Sequence, residues 1–407
     1  MQPGAPVQAL LDVLCGRNNS WPRLDATGWQ AFETEAARHG VSALAYHELA
    51  RDAHAPPQVV RSLEHHHVRN RLRNLRLYAW LGALLEGLTA AAIDVIVLKG
   101  AFLARAVYAD PALRAMSDVD LLVRQRDLER TASTMRALGW LQSAPLPAGG
   151  HQLPAFELEG VLVDVHWNIE DDDARFAIDP AGLWERAVPA RIGHAQAFAL
   201  SPPDLLLHLC LHTAYGHGWK QFDGGLRQLA DIAAVVRHHG PTIDWQGFAT
   251  RAEAWRVDRC AWLALITARD LLRADVPDSV LDRLARQRPD ARWVLAASEL
   301  ALGCHYIELA RGLPALANSW LNKRWRRLSR AARWRAHLLP ADASLRRAYP
   351  VLERQMLLAH LAHWKDLAGD ALRLAFTARH RALWARERER RRLIAWLEGS
   401  AQQRCAR

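Results

Sequence analysis

Apolar positions recur at helical spacing over residues 7–14, 29–38 and 59–88. That period predicts a helical opening region, punctuated by Gly40 and Pro56-Pro57. The texture changes at Ile93-Asp94-Val95-Ile96-Val97-Leu98, a β-branched run that reads as a buried strand ending at Lys99-Gly100. A helix is expected over 101–108, closed by Asp110-Pro111, then a second strand over 119–123 and a helix over 128–138 stopped by Gly139. Residues 156–158 and 161–167 alternate apolar with polar around Glu159-Gly160, which predicts a tight hairpin. From residue 201 the helical period returns. Ser201-Pro202-Pro203-Asp204 offers a capping serine, prolines for the first turn and an acid near the positive helix end. Helices follow over 205–215, 226–239 and 245–274. The expected class is α+β, a small mixed sheet with helical regions on both sides.

Charge divides this plan further. The 407 residues carry a net charge of +10. Residues 321–407 alone hold 21 Lys+Arg against 7 Asp+Glu, leaving 32 against 36 for the rest. The basic excess therefore lies entirely at the C-terminal end. Four regions are expected: 1–88, helical; 89–200, the α/β core; 201–315, helical and packed on the cleft; and 316–407, basic and rich in Arg and Trp. Five scattered cysteines without a CxxC pair argue against a disulfide scaffold, a zinc ribbon or a redox dithiol, and fit a reducing cytoplasm. Residues 1–6 lack a basic n-region, so no secretory signal is expected. The longest apolar tract, 81–98, is broken by Glu86 and Asp94, so no membrane span is expected and the location expected is cytoplasmic.

The chemistry concentrates at Asp118-Val119-Asp120, which leads into Leu121-Leu122-Val123. Side chains two apart on a strand share a face. Two carboxylates there are costly to bury unless a cation neutralises them, and an oxygen-only ligand set suits Mg²⁺ with phosphate oxygens as its other ligands. Asp164 repeats the pattern within Val161-Leu162-Val163-Asp164-Val165-His166-Trp167. If that strand lies beside the first, three carboxylates converge, as two-metal phosphoryl transfer needs. Gly100 stands between a strand and a helix, where backbone N–H groups favour phosphate.

Gly100, Asp118-x-Asp120 and Asp164 match the order and context of the DNA polymerase β-like nucleotidyltransferase superfamily. The stretch Val97-Leu98-Lys99-Gly100, with Tyr108, Asp110-Pro111, Arg114, Met116 and Ser117-Asp118-Val119-Asp120-Leu121-Leu122-Val123, more closely resembles one bacterial branch, the uncharacterised nucleotidyltransferase family. The resemblance spans about residues 35–290 and is most specific over 97–123. It implies a mixed sheet of five strands or fewer. Asp118, Asp120 and Asp164 would be the catalytic, metal-binding acids, with Mg²⁺ or Mn²⁺ as metal and a nucleoside triphosphate donor, ATP being expected. One departure stands out. The superfamily's usual turn is Gly-Gly or Gly-Ser, whereas Lys99-Gly100-Ala101 supplies no serine hydroxyl. Lys99 or Arg114 is expected to supply positive charge instead, and Ser117 joins them at the nucleotide.

His166 shares a face with Asp164 and is expected to look into the same cleft, as a base, an acceptor-orienting group or a partner for Asp164 or Glu157. His208 and His212 stand one helical turn apart, without a third ligand on that helix, which predicts a helix over the cleft with His212 touching substrate or sheet. Asp231 reads as a polar contact between helices or a site residue, and the run His65-His66-His67 as solvated. Arg and Trp interleave over 322–335 and 379–392, within a stretch (321–397) suited to an anionic partner or membrane surface; Glu387 and Glu389 break the second run into a partly salt-bridged helix. The expected activity is Mg²⁺-dependent transfer of a nucleoside monophosphate group to an unidentified acceptor. The alternatives are a DxD glycosyltransferase, and a non-catalytic binding or regulatory protein acting through its basic end.

Overall fold

The computed structural model describes residues 3–17, 23–52, 54–142, 150–170, 175–215, 219, 225–285, 290–303, 335, 338–339, 345, 355–376 and 378–402. The chain divides into two compact units. One comprises residues 1–220, 224–304 and 396–407, the other 221–223 and 305–395.

In the first unit the helical opening region holds α1 (Ala5–Leu14), α2 (Ala26–Arg38), α3 (Ser42–Leu49) and α4 (Pro57–Ala90). Asp25 caps α2, its carboxylate accepting from the Gly28 N–H. The period over 59–88 belongs to α4, whose C-terminal half lays Leu77, Leu81, Leu84, Leu85 and Leu88 on the sheet. Replacing one of these leucines by alanine would cost about 2–5 kcal/mol. His67 is not solvated as expected; its Nε2 lies 3.4 Å from Asp110 Oδ2, and its ring packs against Tyr46.

The sheet has seven strands, not five or fewer. They are β1 (Ile96–Val97), β2 (Asp118–Leu122), β3 (Leu141–Gln142), β4 (Phe156–Leu158), β5 (Val161–His166), β6 (Val188–Ile192) and β7 (Ala195–Ala199), in the order β3-β4-β5-β2-β1-β7-β6. Within the β-branched run from Ile93 to Leu98, Ile96 and Val97 form β1, which pairs antiparallel with β2 and, through Ile96, parallel with β7. β2 and β5 run parallel, β4 and β5 antiparallel. Glu159 and Gly160 both take positive φ (+52° and +74°), as a two-residue hairpin turn requires. α5 (Lys99–Ala106) follows β1, α6 (Leu128–Ala137) follows β2, and α7 (Pro180–Glu185) precedes β6. Val119, Leu121, Val163 and Val165 fill the face under α4 and α6. The alternate positions on β2 and β5 therefore look the other way, and that face carries the acids.

The second helical stretch holds α8 (Pro202–Ala214), α9 (Leu226–His239), α10 (Trp245–Ala254), α11 (Asp258–Leu272), α12 (Asp278–Leu284) and α13 (Arg292–Leu302). The helix expected over 245–274 is broken at Trp255-Arg256-Val257, where Arg256 turns left-handed at φ +60°. Ser201 occupies the N-cap of α8 without capping it; its hydroxyl donates to Asp204 (2.8 Å). Asp204, wholly buried, also accepts from Arg186 (2.9 Å) and Arg251 (2.8 Å).

In the second unit lie α14 (Met356–Phe376) and most of α15 (Ala378–Gln402). The expected salt-bridging of its acids is present: Glu387 accepts from Arg390 and Arg391, and Glu389 from Arg392. The Arg/Trp run over 322–334 lies outside the described residues. Among the described residues no helix is long and apolar enough to cross a membrane, and Cys15, Cys210 and Cys260 are free thiols.

Candidate active site

β2 and β5 fix the positions of the acids. Their parallel register sets Asp118 beside Leu162, Asp120 beside Asp164 and Leu122 beside His166. Neighbouring strands lie about 4.8 Å apart and alternate side chains share a face, so Asp118, Asp120, Asp164 and His166 stand on one surface. Asp120 and Asp164 are thus a cross-strand pair, with Asp118 two residues away on the same face.

Asp120 is buried. Its Oδ1 accepts from Lys99 Nζ (2.8 Å) and from His166 Nε2 (3.0 Å). Burial works to raise its pKa, but the Lys99 charge and these two bonds outweigh it and hold the carboxyl well below the usual range. Asp164 goes the other way. Burial, and then the charges of Asp120 and Asp118, push it up to about 6. His166, buried and pulled down to about 4, is neutral at physiological pH. Its bond to a carboxylate therefore makes Nε2–H the donor, and Nδ1 has no partner. Ser117 donates to Asp118 Oδ1 (3.0 Å).

Lys99 is not a solvated lysine at a strand end. It opens α5 with φ +41°, a strained conformation for a residue with a Cβ, and that backbone turn accompanies its bond to Asp120. Gly100 follows, tightly packed: a Cβ placed there would fall 2.8 Å from Arg114 Nη1 and 3.3 Å from Met116 Cγ. Arg114 is buried and donates to Asp231 through Nε (3.2 Å) and Nη2 (2.7 Å), and to the Ala115 carbonyl through Nη1 (2.7 Å). Asp231 is thus no simple link between helices; it joins α9 to the segment leading into β2. Asn74 of α4 secures the same segment, donating to the carbonyls of Pro111 (2.7 Å) and Arg114 (3.0 Å).

The histidines are arranged differently from expectation. His166 pairs with Asp120 rather than with Asp164 or Glu157. On α8 the residue turned inward is His208, not His212. His208 is fully buried with an unpartnered Nδ1, and it feels the charges of Lys99, Asp120, His166 and His151. His212 is half-buried, its ring 6.3 Å from that of His208. His151 escaped sequence reasoning. It stacks on His166 with ring centroids 5.4 Å apart, positioned by an isolated bridge between Gln152 and His166. Nothing in its sequence surroundings marks it; its place follows from the pairing of 150–153 along β5.

Among the described residues no three His, Cys, Asp or Glu side chains already stand close enough together to hold an ion, and Lys99 occupies one oxygen of Asp120. The donor set nevertheless suits a hard divalent cation. Asp118, Asp120 and Asp164 are oxygen donors; burial and then the charges of Asp120 and Asp118 raise the pKa of Asp164, and a cation would relieve that repulsion.

A family model for uncharacterised nucleotidyltransferases matches residues 25–273, which takes in the sheet, the acids and the helices α2 to α11. No curated protein and no solved structure matches the chain.

Proposed function

The chain belongs to the uncharacterised nucleotidyltransferase family, and from that premise we propose that it moves a nucleoside monophosphate group from a nucleoside triphosphate, with ATP the expected donor, to a hydroxyl- or phosphate-bearing acceptor. The observation that carries this reading is the register of Asp120 against Asp164, with Asp118 two residues away on the same face. Asp118, Asp120 and Asp164 would hold Mg²⁺ or Mn²⁺. Bound there, the cation neutralises phosphate charge and acidifies the attacking hydroxyl.

The remaining work falls to the chain's own groups. The Gly100 turn and the guanidinium of Arg114 receive the phosphates, and Lys99 keeps Asp120 ionised and oriented. Asp164 takes the acceptor's proton as the acceptor oxygen bonds to the α-phosphorus; the bond to the β-phosphate oxygen breaks and pyrophosphate leaves. His166 holds Asp120, and His151 stacks on His166.

The test is a thermal-unfolding series with ATP, GTP, CTP and UTP, each with and without Mg²⁺, on the wild type and on Asp120→Asn. A donor at about 100 times its Kd stabilises the fold by about 2.7 kcal/mol. A Mg²⁺-dependent rise with one nucleotide, lost in the variant, is expected. No rise with any of the four refutes the reading.

A further inference from the structure

The Gly100 turn is braced from a helix distant in sequence. Asp231 on α9 is 1% exposed, and both of its oxygens are engaged: Oδ2 takes Arg114 Nη2 (2.7 Å), and Oδ1 takes the Tyr108 hydroxyl (2.8 Å). Arg114 Nε lies 3.2 Å from both oxygens, so the guanidinium plane is fixed by a fork. A guanidinium has five N–H donors. One on Nε and one on Nη2 go to Asp231, and one on Nη1 goes to the Ala115 carbonyl. One N–H on each terminal nitrogen is left, on a side chain only 11% exposed. Nη1 lies against Gly100, at the distance where any side chain would collide with it. Here the missing Cβ of the glycine makes room for a guanidinium with two uncommitted N–H groups, beside a turn that carries no serine hydroxyl.

We propose that Asp231, supported by Tyr108, is the positioning residue of the phosphate site: it fixes the plane of Arg114 so that the two remaining N–H groups meet the polyphosphate of the donor at the Gly100 turn. This rests on the nucleotidyl-transfer reading and deepens it. It makes α9, a helix of the second helical stretch, part of the donor site without touching the nucleotide. Arg114 binds; Asp231 and Tyr108 aim it. Asp231→Asn keeps the volume and one carbonyl acceptor but removes the charged fork. Tyr108→Phe keeps the packing and removes one bond to the fork.

The test uses the full chain and three probes by calorimetry at a temperature where every variant is folded: a Mg²⁺–nucleoside triphosphate, inorganic tripolyphosphate, and the free nucleoside. In Asp231→Asn, binding of the triphosphate and of tripolyphosphate is expected to weaken together by about ten-fold, the loss of one charge-assisted hydrogen bond. Nucleoside binding stays unchanged, and Tyr108→Phe shows a smaller effect in the same direction. A merely structural role would lower the unfolding midpoint and leave the tripolyphosphate affinity as it was, and that result overturns the inference. If the wild type binds tripolyphosphate in the Asp231-dependent manner but no nucleotide, the inference stands and the transfer reading falls. If it binds neither, both fall.

Discussion

Replacing Asp164 with asparagine should make the metal-free protein more stable while destroying its activity. Asp164 has a folded pKa of about 6 against 3.8 for the free side chain. The folded state therefore holds this proton more tightly than the unfolded chain does. The associated stability is complete below about pH 4 and is lost as the pH rises towards 6. Two units correspond to about 3 kcal/mol at most; the carboxyl is only half-buried, and water screening brings this to about 1–2 kcal/mol. Asparagine has nearly the same shape and no charge, and no hydrogen bond of Asp164 is lost with it. Urea unfolding in chelator at about pH 7.5 should then find Asp164→Asn more stable than the wild type by about 1–2 kcal/mol, the gap closing towards about pH 4. Millimolar Mg²⁺ should stabilise the wild type and not the variant. Equal or lower stability of the variant at about pH 7.5 in chelator would show that the three acids do not repel one another, and the argument for a cation would fall with it.

Two further substitutions separate site from scaffold. Gly100→Ala places a methyl group 2.8 Å from a guanidinium pinned by Asp231, so a stability loss of about 1–3 kcal/mol is expected together with a weakened response to nucleotide; an unchanged response in thermal unfolding would refute the tight packing at that turn. Asp204→Ala leaves Arg186 and Arg251 facing an uncompensated void, which should cost about 3–5 kcal/mol. Its nucleotide-induced rise in midpoint should match the wild type's, since Asp204 is held by Ser201, Arg186 and Arg251 and bonds to none of the acids; loss of that rise would contradict the assignment.

What could be read from the sequence was what depends on period. Alternation along 118–123 and 161–167 told which side chains share a face, and a strand and its neighbouring hairpin suffice for the acidic surface. What could not be read depends on long-range pairing. Arg114 meets Asp231 across 117 residues, and either partner alone looks like an ordinary surface charge. The bond between Lys99 and Asp120 goes with a left-handed backbone at a lysine, which no propensity favours. β6 and β7 leave little trace in the sequence because β6 is largely exposed and contains Pro189, while β7 is built partly of alanines, so neither shows a clean apolar alternation. His208 and His212 lie on the same side of α8; which one points at the acids is decided by the helices α8 crosses. The break at Arg256 carries no glycine or proline to announce it.

The end of the chain has a kinetic consequence. Trp396 stacks on Trp293 with centroids 5.4 Å apart, its carbonyl accepts from Arg259, and Glu398 accepts from Tyr215 (2.8 Å) and Arg175 (2.6 Å). These pairs span 103 to 223 residues of sequence, and the chain leaves the first unit near residue 304 before rejoining it at Trp396. On the ribosome, Tyr215, Arg259 and Trp293 are therefore synthesised long before their partners exist. At about 5–20 residues per second the wait for the intervening stretch is on the order of 5–20 s. During that time the aromatic surface of α11 and α13 stays uncovered, and the last turns of α15 are what close it.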